Sequence, residues 1–245
     1  MTADDLSDRP RKRPALATSV VERLVADIVT GVYPIGSTLP AEPVLCDQFW
    51  VSRTVIREAT KALAEKGLVD SQQGRGTIVQ ESEKWNMLDA MVLSNLFQRD
   101  DGIVYLDNLI EIRVLLEASM AAKAAAKAST EDRQRLIRQR AVLEEAIDDP
   151  ETYATQDVVL HNLVMDISGD KLSAAIIRAI HDRAREAAKY NGEATPLLKS
   201  ETHKGHLRIV DAILGGDSTA AADAMREHIQ SAWERRRQAP DTAKA

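Results

Sequence analysis

Hydrophobic positions in the first 80 residues follow three helical patterns and then a short pattern typical of strands. The first helical pattern places apolar residues at three- and four-residue spacing, at Val20, Val21, Leu24, Val25 and Ile28. Gly31 marks its end, Ser52 is a good N-cap for the third helix, and Gly74 lies at the tip of a predicted hairpin. The predicted helices cover 18–30, 41–50 and 53–66, and the predicted hairpin covers 68–79. This order predicts a winged helix-turn-helix domain over residues 18–80.

Beyond residue 80 the pattern is helical throughout and rich in alanine. Residues that break helices separate the apolar segments, and no heptad repeat persists. The predicted helices cover 85–98, 103–128, 130–148, 151–168, 171–190, 197–214 and 218–237. We therefore predict a mainly α protein, in which the N-terminal winged helix-turn-helix is followed by an all-α antiparallel bundle of six or seven helices over 81–238. Residues 239–245 are expected to form a tail.

The N-terminal segment 1–17 lacks an apolar period, and Pro10 and Pro14 enclose a run of basic residues. This composition predicts a flexible basic arm. Charge runs of this kind are usually solvated, and the alternative is an arm that contacts DNA phosphates or a minor groove.

Composition limits the class of protein. The 44% hydrophobic content is sufficient for a core, and the longest apolar stretches are far too short to span a bilayer. The first residues do not resemble a signal peptide, and the single cysteine excludes an internal disulfide framework. A cytoplasmic protein is therefore expected.

Charge is distributed unevenly along the chain. The formal net charge is −6, which by itself argues against binding of nucleic acid. Acidic and basic residues balance within 1–80, however, so the whole negative excess lies in 81–245. Residues 52–76 carry five basic against three acidic residues, which is a local basic patch that the net charge conceals.

Three segments of the first domain carry a family resemblance: Leu39-Pro40-Ala41-Glu42, Val51-Ser52-Arg53-Thr54-Val55-Ile56-Arg57-Glu58-Ala59 and Gly74-Arg75-Gly76-Thr77. Together they resemble the DNA-binding domain of GntR-type bacterial transcription regulators. Two residues depart from that family's pattern. Pro43 occupies a position where the family often has a base-contacting arginine, and Trp50 replaces the small residue usual in the helix-turn-helix corner.

In a winged helix-turn-helix the third helix is expected to enter the major groove of DNA. Arg53 and Arg57 are then expected to reach base edges, with Ser52 and Thr54 near phosphates. The hairpin tip, Gln73-Gly74-Arg75, is expected to follow the adjacent minor groove. A homodimer would present two such helices, so the operator should be a palindrome.

The second domain contains residues whose spacing suits a metal site. Asp157 precedes His161 by four residues, so both lie on one helix face. His206 and His228 flank the Gly215-Gly216 turn and fall at nearly the same level of antiparallel neighbours. One carboxylate and three imidazoles suit Zn²⁺ first, with Ni²⁺ or Mn²⁺ as alternatives. The alternative for any one histidine is a hydrogen-bonded or solvent-facing imidazole.

This spacing also resembles the FCD ligand-binding domain found in the FadR branch of the same regulators. The resemblance implies that Asp157, His161, His206 and His228 bind a divalent metal, whereas His203, one turn from His206, is not expected to be a ligand. The Glu111-Ile112-Arg113 segment resembles the family's E-x-R element, which implies that Arg113 binds a carboxylate effector. The alternative is an ordinary surface pair between Arg113 and Glu117.

These features predict a cytoplasmic, homodimeric transcription regulator, and more specifically a repressor. Its helical domain is expected to bind a metal ion and a small carboxylate, such as a sugar acid. Two alternatives remain at this point: a regulator that senses the metal itself, and a metalloenzyme that acts on a small hydroxy acid. The enzyme is disfavoured because no additional residue with convincing spacing offers a general base.

Overall fold

The structure is a computed structural model that describes residues 12–187, 190 and 196–238. It divides into two compact units, Met1–Arg99 and Asp100–Ala245, which are described separately. No helix among the described residues is long and apolar enough to cross a membrane.

The first unit is a winged helix-turn-helix, as predicted. Its helices are α1 (Lys12–Val29), α2 (Glu42–Phe49) and α3 (Arg53–Glu65), and its strands are β1 (Val69–Gln72) and β2 (Gly76–Val79). The two strands pair antiparallel, with Val69 opposite Val79 and Gln72 opposite Gly76. Leu24 and Val25 of α1 and Ile56, Ala59 and Leu63 of α3 are fully buried and form the core between these helices.

The prediction of an irregular arm through residue 17 was wrong at its end, because α1 begins at Lys12. Pro14 is the third residue of this helix. A proline in the first turn removes no intrahelical hydrogen bond, since the N–H groups there have no helical acceptor. The two alternatives for the rest of the arm concern residues 1–11, which lie outside the described part of the chain.

A short linking segment and a fourth helix complete the first unit. The link contains a 3₁₀ turn, Ser82–Lys84, and α4 spans Ala90–Gln98. Asp89 caps α4, because its side chain accepts hydrogen bonds from the backbone N–H groups of Met91 and Val92. The buried side chains of α4 include Leu96 and Phe97, and α4 contacts α1. The structure therefore groups α4 with the first unit, whereas the sequence assigned residues 85–98 to the second domain.

The second unit is an all-α bundle. Its helices are α5 (Gly102–Lys127), α6 (Thr130–Glu145), α7 (Pro150–Ser168), α8 (Lys171–Ala184), α9 (Pro196–Gly215) and α10 (Ser218–Gln238). The long helix α5 contacts α7, α8, α9 and α10 and is the centre of the bundle. Met120 of α5, Met165 of α7, and Ala174 and Ile177 of α8 form one buried apolar cluster.

Local capping residues explain where several of these helices begin. Ser129 and Asp132 form a reciprocal capping box at α6, and Asp149 with Pro150 starts α7. Asp170 accepts a hydrogen bond from the Ser173 backbone N–H and caps α8. Helix α8 ends at Ala184, six residues before the predicted end at 190.

Candidate metal centre and DNA-binding surface

Helix α3 has one buried and one exposed face. Val55, Ile56, Ala59 and Leu63 are buried against the rest of the first unit. The four predicted DNA contacts on this helix and its N-cap are all exposed: Ser52, Arg53, Thr54 and Arg57. The periodicity of α3 thus places these polar side chains on the exposed side of the helix, where a groove of DNA could contact them.

One exposed arginine on this surface has a partner that the sequence did not indicate. Arg57 Nε lies 3.1 Å from both carboxylate oxygens of Glu42, in the first turn of α2. Both side chains are largely exposed, so the pair contributes little to stability. It does hold the guanidinium at the surface between α2 and α3.

The wing tip is also exposed, at Gln73, Gly74 and Arg75. Arg75 Nη1 donates a 3.2 Å hydrogen bond to Gln72 Oε1, which leaves the guanidinium in solvent. A cleft of about 750 Å³ separates the hairpin from α2 and α3, and Arg57 and Gln73 line it from opposite sides. The recognition helix and the wing thus form two walls of one open surface.

The corner between α2 and α3 is unusual. Trp50 has φ 54° and ψ 43°, which is the left-handed region, and its side chain is 93% exposed. Its backbone N–H donates to Cys46 O and ends α2. The corner therefore has the backbone that a glycine adopts most easily, with an indole at the surface in place of a hydrogen atom.

In the second unit, four side chains predicted to be ligands converge. They come from three helices: Asp157 and His161 from α7, His206 from α9 and His228 from α10. One potential ligand atom from each residue lies within 4.8 Å of all the others. The three histidines are buried, and Asp157 is partly exposed.

The separations within this cluster suit a shared ion. His161 Nε2 lies 3.3 Å from His228 Nε2, and His206 Nε2 lies 2.9 Å from Asp157 Oδ1. Two atoms that each ligate one ion at about 2.0–2.1 Å lie about 3.0–3.4 Å apart. The observed separations are therefore close to those of a coordinated set.

Two buried ring nitrogens, His206 Nε2 and His228 Nδ1, have no hydrogen-bond partner in the described part of the chain. A buried polar atom without a partner costs about 1–3 kcal/mol. The short contact between His206 Nε2 and Asp157 Oδ1 lacks the alignment of a hydrogen bond. The residues present therefore fit a metal ion, which would give His206 Nε2 a partner.

The electrostatics keep the cluster in its ligating forms. Burial lowers the pKa of His206, and it lowers the pKa of His228 well below its usual value, so both imidazoles are neutral near pH 7. Burial alone would raise the pKa of Asp157, but the neighbouring His206, His161 and His228 outweigh it and lower that pKa well below 3.8. Neutral imidazoles and an ionised carboxylate are the protonation states that bind a divalent cation.

Outside the four candidate ligands, two hydrogen-bonding residues orient the rings. Glu117 Oε2 lies 2.6 Å from His161 Nδ1, and Tyr153 Oη lies 3.0 Å from His206 Nδ1. These contacts occupy Nδ1 of both rings and leave Nε2 to face the cluster. The sequence analysis did not identify Tyr153, although it precedes Asp157 by four residues and His161 by eight on the same face of α7.

His203 lies outside the cluster of four candidate ligands. Its Nδ1 lies 3.3 Å from Tyr153 Oη instead. If the His206 Nδ1–H donates to Tyr153 Oη, the tyrosine hydroxyl is free to donate to His203 Nδ1. His203 therefore contacts Tyr153, which also contacts the candidate ligand His206.

Gly205 allows α9 and α10 to approach each other at the cluster. A Cβ atom added at Gly205 would lie 2.6 Å from His228 Nδ1. Any side chain at this position would displace the His228 ring. The sequence signal for this close approach is the glycine directly before His206.

Arg113 is connected to this cluster through Glu117. Arg113 Nε donates to Glu117 Oε1 at 2.6 Å, and Arg113 Nη1 donates to Tyr190 Oη at 2.5 Å. The alternative of a pair between Arg113 and Glu117 is confirmed as a contact, but its expected place at the surface was wrong, because both residues are buried. Burial would raise the pKa of Glu117, but Arg113 and then His161 outweigh it, so the carboxylate stays ionised.

Comparisons with known proteins agree on both units. The family model described as bacterial regulatory proteins, gntR family, matches residues 16–79, and the FCD domain model matches residues 108–231. Among solved structures, a Streptococcus agalactiae protein described as GntR is 27% identical, with a TM-score of 0.51 over 89% of this chain and 99% of that chain. The Lar protein of Listeria monocytogenes has a TM-score of 0.58 at 18% identity, over 89% of this chain and 95% of its own, and supports the fold alone.

Curated relatives are similar along most of their length. The galactonate operon transcriptional repressor of Escherichia coli K12 is 30% identical over 219 residues, which is 88% of this chain and 94% of the relative. The putative L-lactate dehydrogenase operon regulatory protein of the same organism is 28% identical, over 87% of this chain and 83% of the relative. The transcriptional repressor NanR of Cronobacter sakazakii is 28% identical, over 93% and 88%. These relatives are named as regulators of transcription, not as enzymes.

Proposed function

The chain belongs to the GntR family of bacterial transcription regulators whose second domain is an FCD domain, and from this premise we propose that it is a metal-dependent repressor controlled by a small hydroxycarboxylate. The main support for this proposal is the convergence of the partly exposed Asp157 with the buried His161, His206 and His228 within the FCD domain. The residues around this set support its rings and offer binding groups for an effector.

We propose that these four residues hold one divalent cation. Three imidazole nitrogens and one carboxylate oxygen suit Zn²⁺ first, and Ni²⁺ or Mn²⁺ are the alternatives. The cation would satisfy the unpaired His206 Nε2. When bound, it would supply a Lewis acid that attracts the oxygens of an anionic ligand.

The hydrogen bonds outside the ligand set give a test of this assignment that avoids the ligands themselves. Tyr153→Phe removes the hydroxyl that holds His206 Nδ1 and leaves the ring volume unchanged. Loss of such a supporting bond typically costs about 10–100-fold in metal affinity. We expect that loss in a competition titration with a chromogenic chelator. Tyr33→Phe, the same change in the other compact unit, is the matched control, and equal affinities in the two variants would contradict the role given to Tyr153.

We propose that the effector is a small hydroxycarboxylate such as a sugar acid. Galactonate and L-lactate, which occur in the names of two relatives, are both 2-hydroxycarboxylates. Such a ligand offers a carboxylate and a neighbouring hydroxyl, which suit a bound cation together with a buried guanidinium. Arg113 has more N–H donors than its bonds to Glu117 and Tyr190 use, and we propose that it binds the effector's carboxylate.

Arg113→Lys separates the effector role of this residue from its pairing with Glu117. A lysine keeps a positive charge beside the buried Glu117 carboxylate but lacks the planar fork that pairs with a carboxylate at two points. A hydrogen bond to a charged group is worth about 1.5–3 kcal/mol, so we expect effector affinity to fall about 10–100-fold while metal content stays unchanged. Calorimetric titration with galactonate and with L-lactate measures the first quantity, and elemental analysis measures the second. Unchanged effector affinity in this variant would show that Arg113 does not bind the effector.

The winged helix-turn-helix binds DNA, and we propose which side chains make the contacts. Arg53 and Arg57 are assigned to base edges, Ser52 and Thr54 to phosphates, and the wing tip Gln73-Gly74-Arg75 to the adjacent minor groove. Each of these residues is exposed, and Arg57 and Gln73 line one open cleft between α3 and the hairpin, which supports these roles. We also propose a cytoplasmic homodimer that recognises a palindromic operator, because two copies of α3 would read two half-sites. Light scattering in solution tests the dimer.

A further inference from the structure

Trp50 has a left-handed backbone conformation that a glycine would adopt more easily than a tryptophan. It is the one non-glycine residue with positive φ in the described part of the chain. The left-handed conformation is unfavourable for an L-residue, and a glycine would adopt it without that cost while making the same N–H bond to Cys46 O. The 93% exposed side chain gains almost no burial that would offset this cost.

The other two tryptophans have buried, hydrogen-bonded indoles, as expected of side chains that stabilise the fold. Trp85 and Trp233 are buried, and their Nε1–H groups donate to Gln80 O at 3.0 Å and to Asp107 Oδ1 at 2.8 Å. A strained residue whose side chain contributes nothing to the core indicates a role outside the core. Trp50 therefore differs in kind from the other two.

The position of Trp50 indicates what its indole meets. It lies two residues before Ser52, the N-cap of α3, so its Cα is at most about 11 Å from that of Arg53. The N-terminal residues of a recognition helix lie in the major groove, and the sugar-phosphate backbone borders that groove. Ser52, Arg53 and Thr54 follow Trp50 within four residues and are exposed as it is, so the indole lies near the residues already assigned to DNA.

We propose that Trp50 is part of the DNA-binding surface and contacts the sugar-phosphate backbone of the duplex. Its Nε1–H donates to a phosphate oxygen, and its ring packs on the adjacent deoxyribose. Such a contact adds affinity without regard to sequence. Because the indole carries no charge, the contact releases no counterion, which distinguishes it from the arginine contacts. The inference depends on DNA binding through α3, and the test below separates the two.

Trp50→Gly is the decisive variant, because it removes the indole and also the backbone strain. Removing one hydrogen bond and its packing should weaken binding about 3–10-fold. We expect this loss equally on a duplex that the protein selects from a random pool and on a scrambled duplex. The slope of log affinity against log salt should stay unchanged, and the melting temperature of the variant should rise.

Iodide quenching of tryptophan fluorescence reports on the same residue in the wild-type protein. Since Trp85 and Trp233 are buried, the quenchable signal comes from Trp50, and either duplex should protect it. Val32→Ala removes another exposed apolar side chain outside the helix-turn-helix corner and should change neither readout. Trp50→Phe should keep the ring packing and lose the part of the affinity that the N–H provides.

Wild-type affinity in Trp50→Gly on both duplexes, with quenching that DNA does not change, would overturn the inference. A loss confined to the selected duplex would also overturn it, because the ring would then read bases. If Arg53→Ala loses operator binding while Trp50→Gly does not, only the role of Trp50 fails. If neither variant changes binding, the assignment of α3 fails as well.

Discussion

His206→Ala is expected to lose the bound metal and the response to the effector while it keeps operator binding. The variant removes one of three imidazoles from the proposed ligand set, and His206 Nε2 is a buried ring nitrogen without a hydrogen-bond partner among the described residues. A set with one carboxylate and two imidazoles should bind the cation at least 100-fold more weakly, since even loss of a supporting bond costs about 10–100-fold. The operator contacts lie in the other compact unit and should be intact.

His203→Ala is the matched control for this prediction. It removes the same ring from the same helix one turn away, where His203 contacts Tyr153 and lies outside the candidate ligand set. Elemental analysis of both purified variants, followed by operator binding with and without galactonate, gives the comparison. A fully loaded and responsive His206 variant beside an empty His203 variant would mean that the ligand assignment is wrong by one turn.

Arg53→Ala and Arg57→Ala should each weaken specific operator binding by about 1–3 kcal/mol and leave the fold intact. Both side chains are exposed on α3, opposite the buried Val55 and Ala59, so neither truncation opens a cavity. Arg57 also loses its pair with Glu42, which is largely exposed and adds little to the folded state.

Arg75→Ala provides the contrast for the two helix variants. A wing arginine on the phosphate backbone should cost affinity evenly across sequences and reduce the salt slope by about 1. The α3 variants should instead lose discrimination between the selected and the scrambled duplex. Gel-shift titrations on both duplexes at several salt concentrations separate these outcomes. Unchanged affinities in both α3 variants would refute the assignment of this helix to the groove.

Most of the fold could be predicted because local signals determine it. The periodicity of α3 and caps such as Ser129 and Asp149 are properties of neighbouring residues, and the structure contains the corresponding elements. The start of α1 at Lys12 was not predicted, because the segment before residue 18 lacks an apolar period and contains Pro14, which a first turn tolerates. The grouping of α4 with the first unit depends on its packing against α1, which no local pattern encodes.

The candidate site likewise contains residues that local spacing predicts and residues that depend on contacts between helices. Asp157 and His161 lie one turn apart on a single helix, so their common face could be derived from spacing alone. Glu117 and Gly205 act across helices, on His161 from α5 and beside His228 from α9. Such contacts depend on the rotation and depth of one helix against another, and one chain's hydrophobic pattern does not specify these to within a hydrogen bond.

We propose that a metal ion held by the FCD domain is required for a small hydroxycarboxylate to control DNA binding. The most direct measurement is operator affinity, by fluorescence anisotropy, as galactonate or L-lactate is added to protein that is loaded with Zn²⁺, stripped by a chelator, or stripped and reloaded. We predict that the acid lowers operator affinity in the loaded protein, has no effect after stripping, and regains its effect on reloading, whereas Zn²⁺ alone leaves operator affinity unchanged. An unaltered response to the acid in stripped protein, or a full response to Zn²⁺ without the acid, would contradict the account.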